Sequence, residues 1–101
     1  MILYNVTVNI SPDVHDEWLE WMKAKHIPDV LATGLFIDGK IFKIKSTQPG
    51  EGDTYSIQYF CKNMEDYEKY QKEHAPALQQ EHTEKYKDKF SAFRTILELV
   101  E

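Results

Sequence analysis

Two stretches decide the fold: residues 2–10, ILYNVTVNI, and residues 55–61, YSIQYFC. In the first, Ile2, Tyr4, Val6, Val8 and Ile10 fall on one side, and Leu3, Asn5, Thr7 and Asn9 on the other. In the second, Tyr55, Ile57, Tyr59 and Cys61 alternate with Ser56, Gln58 and Phe60. A period of two with one side more apolar marks a strand with one face in a core. Each strand leads into a helix start. Ser11-Pro12-Asp13 reads as an N-cap, a proline at the first helical position and an acid in the first turn. Asn63, with Glu65 and Asp66 behind it, reads the same way. Both helices then run into a similar tripeptide, His26-Ile27-Pro28 and His74-Ala75-Pro76. The echo, offset by about 50 residues, implies two similar halves related by a pseudo-twofold.

The remaining segments complete the order. Val14, Trp18, Trp21, Met22 and Lys25 follow at helical spacing. This helix is expected to end near His26, because Pro28 disfavours an α conformation at Ile27. A further turn over residues 28–32 would precede Gly34, a left-handed stop. Leu35–Ser46 is β-prone, interrupted at Asp38-Gly39 by a turn or a bulge. Thr47–Asp53 has the composition of a loop. The second helix carries a stripe of Met64, Tyr67, Gln71, His74 and Leu78. It is expected to kink or split at Pro76 and to continue through His82 and Tyr86 to about Lys87. Phe90–Val100 is the last strand. The order β-α-β-β-α-β defines an α+β, ferredoxin-like chain: a four-stranded antiparallel sheet with two helices on one face. No linker divides it, so residues 1–101 form a single domain.

Two helices on one face leave the other bare. Parity assigns it Leu3, Asn5, Thr7 and Asn9, with Ser56, Gln58 and Phe60. Arg94 and Ile96 join them if Phe93, Leu97 and Leu99 face the helices. One solution is a second copy packing sheet on sheet about a twofold axis; the other is an open, solvated sheet. The reading favours the homodimer, because Leu3, Phe60 and Ile96 would otherwise sit in water.

Composition removes several functions. The 101 residues carry 17 acidic and 12 basic side chains, a net charge of -5. Eleven of the basic residues are Lys and one is Arg94, so neither the basic stripe nor the arginines of a nucleic-acid binder are present. With a mean hydropathy of -0.57 and no apolar run near ~18 residues, no membrane span is expected. Nor is a signal peptide, since no basic segment precedes an apolar one at the N-terminus. Cys61 is the single cysteine; it forms no CxxC site and fits a reducing, cytoplasmic location. Phosphate-binding glycine loops, GxSxG and the ribonucleoprotein motif are all missing.

Trp18–Gly34 (WLEWMKAKHIPDVLATG) and the MEDYEKYQKEHAPALQQEHTEKY run within Tyr59–Tyr86 resemble a bacterial domain-of-unknown-function family. That family is similar to the dimeric α/β-barrel superfamily, near EthD-type and antibiotic-biosynthesis-monooxygenase-type proteins. The resemblance covers essentially the whole chain. It implies a homodimeric barrel and places the His-x-Pro motif near a cleft. For the oxygenases it implies cofactor-free chemistry on an aromatic substrate, with Trp, Tyr and Asn side chains around it. Some haem-binding relatives use a single axial His, so haem stands as the alternative to no cofactor.

Candidate chemistry centres on His26 and Asp29, three residues apart, where a carboxylate could orient or charge an imidazole acid–base. The plainer alternative is a helix-end histidine favoured by the dipole. Trp18, Trp21 and Tyr59 are core aromatics by spacing and substrate-binding candidates by resemblance. Asn5 is a candidate on the same ground, but has the wrong parity for a cavity under the helices. His74 is a further substrate-binding candidate. It cannot share a metal with His82, because eight helical residues rise about 12 Å, and no metal site is expected. Arg94 anchors a substrate carboxylate or forms an ion pair across a dimer. The resulting expectation is a cytoplasmic homodimer that binds a small aromatic or carboxylated molecule, with cofactor-free oxygenation or isomerisation through His26 if it is an enzyme. The alternative is a non-catalytic dimeric interaction or regulatory module.

Overall fold

The structure, a computed structural model, describes residues 1–45 and 52–101. Of the loop expected over Thr47–Asp53, residues 47–51 lie outside the described residues, as does Ser46. Strand β1 (Ile2–Ile10) is followed by a tight turn at Pro12–Val14 and helix α1 (His15–Trp21). A wide helical turn, Met22–His26, joins α1 to α2 (Ile27–Leu31). Then come β2 (Asp38–Lys43), β3 (Asp53–Cys61), α3 (Met64–Glu73), α4 (Ala75–Lys85) and β4 (Phe90–Glu98). The sheet order is β2-β3-β1-β4 with every pair antiparallel. This is the ferredoxin-like arrangement that the element order predicted.

The faces of β1 and β3 are as the alternation required. Ile2, Tyr4, Val8 and Ile10 are buried beside Tyr55, Ile57, Tyr59 and Cys61, because Tyr4 pairs with Tyr59 and Val8 with Tyr55. Helix residues Trp18, Met22, Ile27, Val30 and Tyr70 close the core over that face. The Asn63 side chain caps α3, accepting from the Asp66 amide at 2.9 Å. Gly34 ends the first helical segment at φ +79°. The second helix splits where Pro76 required: His74 leaves helical geometry at φ -125°, and α4 begins at Ala75.

Five expectations are corrected. First, the leading helix does not stop near His26. Ile27 is helical (φ -62°, ψ -46°), and the chain passes Pro28 through the five-residue-wide turn. A proline lacks an N–H and crowds the preceding turn of an α-helix; a widened turn just before it re-spaces the backbone carbonyls.

Second, β4 presents the opposite face. Phe90, Ala92, Arg94 and Ile96 pair with Ile10, Val8, Val6 and Tyr4, while Phe93 and Leu97 pair with Thr7 and Leu3. Directly opposed residues share a face, so Arg94 and Ile96 lie on the helix side, and Phe93 and Leu97 on the bare side.

The other three are smaller. Met64 is not in the buried stripe; it is 39% exposed and Tyr70 takes that role. Asp38-Gly39 neither turns nor bulges but opens β2, which is shorter than the expected Leu35–Ser46. The last strand ends at Glu98, two residues before Val100.

Candidate functional site

A cleft runs between the sheet and the helices, with about 480 Å³ of space, part of it open to solvent. Its floor is the helix-side face of the sheet: Tyr4, Val6 and Val8 from β1, Ile57 and Tyr59 from β3, and Phe90, Ala92 and Arg94 from β4. Its roof is Met22 and His26 from the wide turn, Tyr70 from α3, and Gln79, His82 and Thr83 from α4. Mostly apolar and aromatic walls with a few converging polar groups are the usual make-up of a small-molecule site.

The polar groups are distinctive. Arg94 Nε donates to the Tyr4 hydroxyl at 3.1 Å, and among the described residues the guanidinium meets no carboxylate. The Tyr59 hydroxyl and His26 Nδ1 are buried without a hydrogen-bond partner, which is uncommon for buried polar atoms. Burial pushes the Tyr59 and Tyr70 phenols well above their ordinary range. Burial also holds the His26 imidazole below its usual value, against the pull of the Glu81 and Asp29 carboxylates. His82 is pushed down to about 4, first by burial and then by the charges of His26 and Arg94. Its Nε2 accepts a 2.9 Å hydrogen bond from the Trp18 indole.

The residues singled out in the sequence divide. His26, Tyr59 and Arg94 line the cleft together. Asp29 makes no hydrogen bond to His26 and acts on it only through its charge; its carboxylate meets Lys25 Nζ at 2.7 Å. The imidazole across from His26 is His82, with ring centroids 5.7 Å apart. Trp18 is fully buried and reaches the site only through His82. Trp21 packs beside the cleft on His26 and His82, at 5.2 and 5.8 Å. His74 stacks on Tyr70 at 6.4 Å and does not line the cleft. Asn5 lies on the bare face, bonded to Thr7 and Ser56.

Tyr4, Tyr70 and His82 were missed as site residues. The signal was present in α4, where Gln79, His82, Thr83 and Tyr86 occupy one helical face at spacings of three and four. Of these, His82 and Tyr86 are buried and Gln79 half-buried, which puts polar atoms on a face turned to the core. Among the described residues no group of three or more His, Cys, Asp or Glu side chains is placed to hold a metal ion. Among the described residues no helix is long and apolar enough to cross a membrane.

The sheet, its one helical face and the cleft between them define a protein of the ferredoxin-like α+β class. Within that class the chain belongs to the domain of unknown function family DUF4286, whose model matches residues 1–100. A dimeric ferredoxin-like protein from an uncultured marine organism has a similar structure, with a TM-score of 0.71 and 17% identity over 99% of this chain and 94% of that one. An ethyl tert-butyl ether D (EthD) family protein from Bacillus halodurans gives 0.67 and 13% over 99% and 100%. A Deinococcus radiodurans protein described as of the antibiotic biosynthesis monooxygenase type gives 0.69 and 13% over 100% and 94%. At such identities the likeness is one of fold. No curated protein matches the chain in sequence.

Proposed function

We propose that this chain binds a small aromatic carboxylate in the cleft, with Arg94 as the anchor and His26 as the proton carrier, and that it does so as a homodimer joined through the bare sheet face. The observation that carries the reading is Arg94, a guanidinium on the wall of an aromatic cleft with no carboxylate partner among the described residues. A guanidinium makes its strongest and most directional bonds to a carboxylate, and the Tyr4, Tyr59 and Tyr70 rings suit a flat ligand.

Depressed basicity keeps the His26 ring neutral near pH 7, the form that accepts a proton. On an acid with an adjacent carbonyl or enol, the proton taken from one carbon is returned to another, so an isomerisation balances with no further reactant. A cofactor-free oxygenation would begin with the same removal and consume dioxygen. Lone, buried Cys61 fits a reducing compartment, so cytoplasmic residence is part of the proposal.

The bare face supports the dimer. Its centre is a polar ladder already satisfied within the chain: Gln58 donates to Ser56, Ser56 to Asn5, and Asn5 to Thr7. Its margin is apolar, with Phe93 63%, Leu99 58% and Leu97 43% exposed. Titration with benzoate, followed by NMR on the labelled protein, tests the site. Benzoate is expected to perturb Tyr4, His26 and Arg94, and Arg94→Gln to weaken it at least tenfold, the scale of a lost charge-assisted bond. Perturbations confined to other surfaces, or an unchanged affinity in Arg94→Gln, would overturn the reading. If the protein is an isomerase, full turnover by His26→Ala would remove its role.

A further inference from the structure

His82 was not among the site residues predicted from sequence, yet it has the most constrained chemistry in the cleft. The Trp18 indole N–H is a donor only and lies 2.9 Å from His82 Nε2, so that nitrogen must accept. An imidazolium has a proton on both nitrogens and would set N–H against N–H. The ring is therefore neutral, and its single proton sits on Nδ1. Burial and the neighbouring His26 and Arg94 charges act in the same direction.

Packing fixes the ring as well as the proton. Phe90 meets it edge-on at 4.4 Å, and Tyr86, His26 and Trp21 lie at 5.6, 5.7 and 5.8 Å. Among the described residues Nδ1 has no partner of its own. His26 has no comparable lock: its Nδ1 is an orphan. The two imidazoles facing each other are thus unlike near neutral pH, one with an unpartnered nitrogen and one whose acceptor nitrogen is held by the indole.

We propose that His82 is a fixed hydrogen-bond donor to the bound ligand, with its Nδ1 proton set by Trp18, and that it takes a carbonyl or hydroxyl oxygen on the aromatic carboxylate. The inference rests on the proposed function for the ligand class and adds a requirement to it: a second oxygen beside the carboxylate. A site with a preorganised donor discriminates against an analogue that lacks the matching acceptor, because the buried donor is then left unpaired. Trp18 is a positioning residue, acting on the ligand only through the His82 tautomer.

The test uses the full chain, uniformly labelled with nitrogen-15, at pH 7, with benzoate and 2-hydroxybenzoate as probes. Long-range proton–nitrogen spectra are expected to give His82 as the neutral Nδ1–H tautomer, and Trp18→Phe to populate the Nε2–H form. On adding 2-hydroxybenzoate, the Nδ1 proton is expected to move downfield. His82→Phe should weaken 2-hydroxybenzoate about tenfold, the scale of one buried hydrogen bond, and benzoate less than threefold. His82→Asn, whose amide stands where Nδ1 stood, should recover most of the loss.

A charged ring or an Nε2–H tautomer in the unliganded protein overturns the inference whatever binds. So does 2-hydroxybenzoate binding with no response at His82. If neither probe binds and the tautomer is as expected, the aromatic-carboxylate reading fails and takes the ligand half of this inference with it; the Trp18–His82 lock stands.

Discussion

Two histidines enter the folded chain with weakened proton affinity, and that has a consequence for stability. In the unfolded chain an imidazole titrates near 6.5; in the folded chain His82 is held to about 4, and His26 is also lowered. Between those values the unfolded state binds more protons, so stability falls as pH drops. The loss begins below about 6.5 and His82's share is complete below about 4, amounting to the order of 3 kcal/mol. His26, Arg94 and Tyr86 are the titratable or charged groups facing His82. The Asp13 carboxylate, lowered mainly by its hydrogen bond to Lys89, belongs to a separate window below its ordinary 3.8. Urea unfolding should therefore show a lower midpoint at pH 5 than at pH 7. In His82→Phe the gap should narrow, leaving the His26 share. A midpoint unchanged between pH 7 and pH 4.5 would contradict the buried, neutral state of both rings.

At this scale His26, Tyr59 and Arg94 were legible because each is an unusual residue where the pattern asks for something plainer. His26 opens a His-x-Pro run at the expected helix end, Tyr59 is a phenol on a core face, and Arg94 is the single arginine. That Asp29 leaves His26 without a hydrogen bond was not, because sequence spacing cannot say that Lys25, four residues before Asp29, has the prior claim on its carboxylate.

Secondary-structure elements test the backbone side of the same reading. Gly34 and Gly52 both have φ +79°, where an L side chain is strained by roughly 1 kcal/mol. They differ in surroundings. A Cβ on Gly34 would meet nothing within 4 Å, whereas one on Gly52 would lie 2.8 Å from the Ile10 carbonyl oxygen. Gly34→Ala should cost about 1 kcal/mol and Gly52→Ala clearly more, since the strand end must shift as well. Asn63→Ala, which removes the α3 cap, should cost about 1 kcal/mol. Equal unfolding midpoints for the two glycine variants would mean that the Gly52 contact relaxes freely.

The strands β1 and β3 were read correctly because one face of each is consistently apolar and the other largely polar. In β4, Phe90, Ala92 and Ile96 are apolar on one face and Phe93 and Leu97 on the other, so hydrophobicity carries no parity. Arg94 then pointed the reading the wrong way. Register with β1 decides the face, and register is long-range information. The wide turn before Pro28 was equally hidden, although the buried residues Met22 and Ile27 are five apart, a spacing that an uninterrupted α-helix would place on different faces.

Across the whole molecule, the β4 correction separates two properties that the sequence had merged. With Arg94 on the bare face, the same surface would have served as dimer interface and ligand site. With Arg94 in the cleft, the proposed ligand site lies under the helices, and the bare face keeps a self-satisfied polar ladder with Phe93, Leu97 and Leu99 along its β4 edge. Exposed apolar side chains gathered around satisfied polar ones suit a dry contact with a second copy better than an open surface. Size-exclusion chromatography with light scattering should therefore give about twice 11.9 kDa at two concentrations well apart. Phe93→Glu should give the monomer with its unfolding transition preserved, because that side chain is 63% exposed in the isolated chain and its loss removes little of the chain's own packing. Each monomer should still bind benzoate, since the cleft lies on the opposite face of the sheet from Phe93. A wild-type monomer at both concentrations would remove the dimer and leave the cleft chemistry standing. Loss of benzoate binding in a folded Phe93→Glu monomer would mean instead that pairing of the two sheets shapes the cleft through the strands they share.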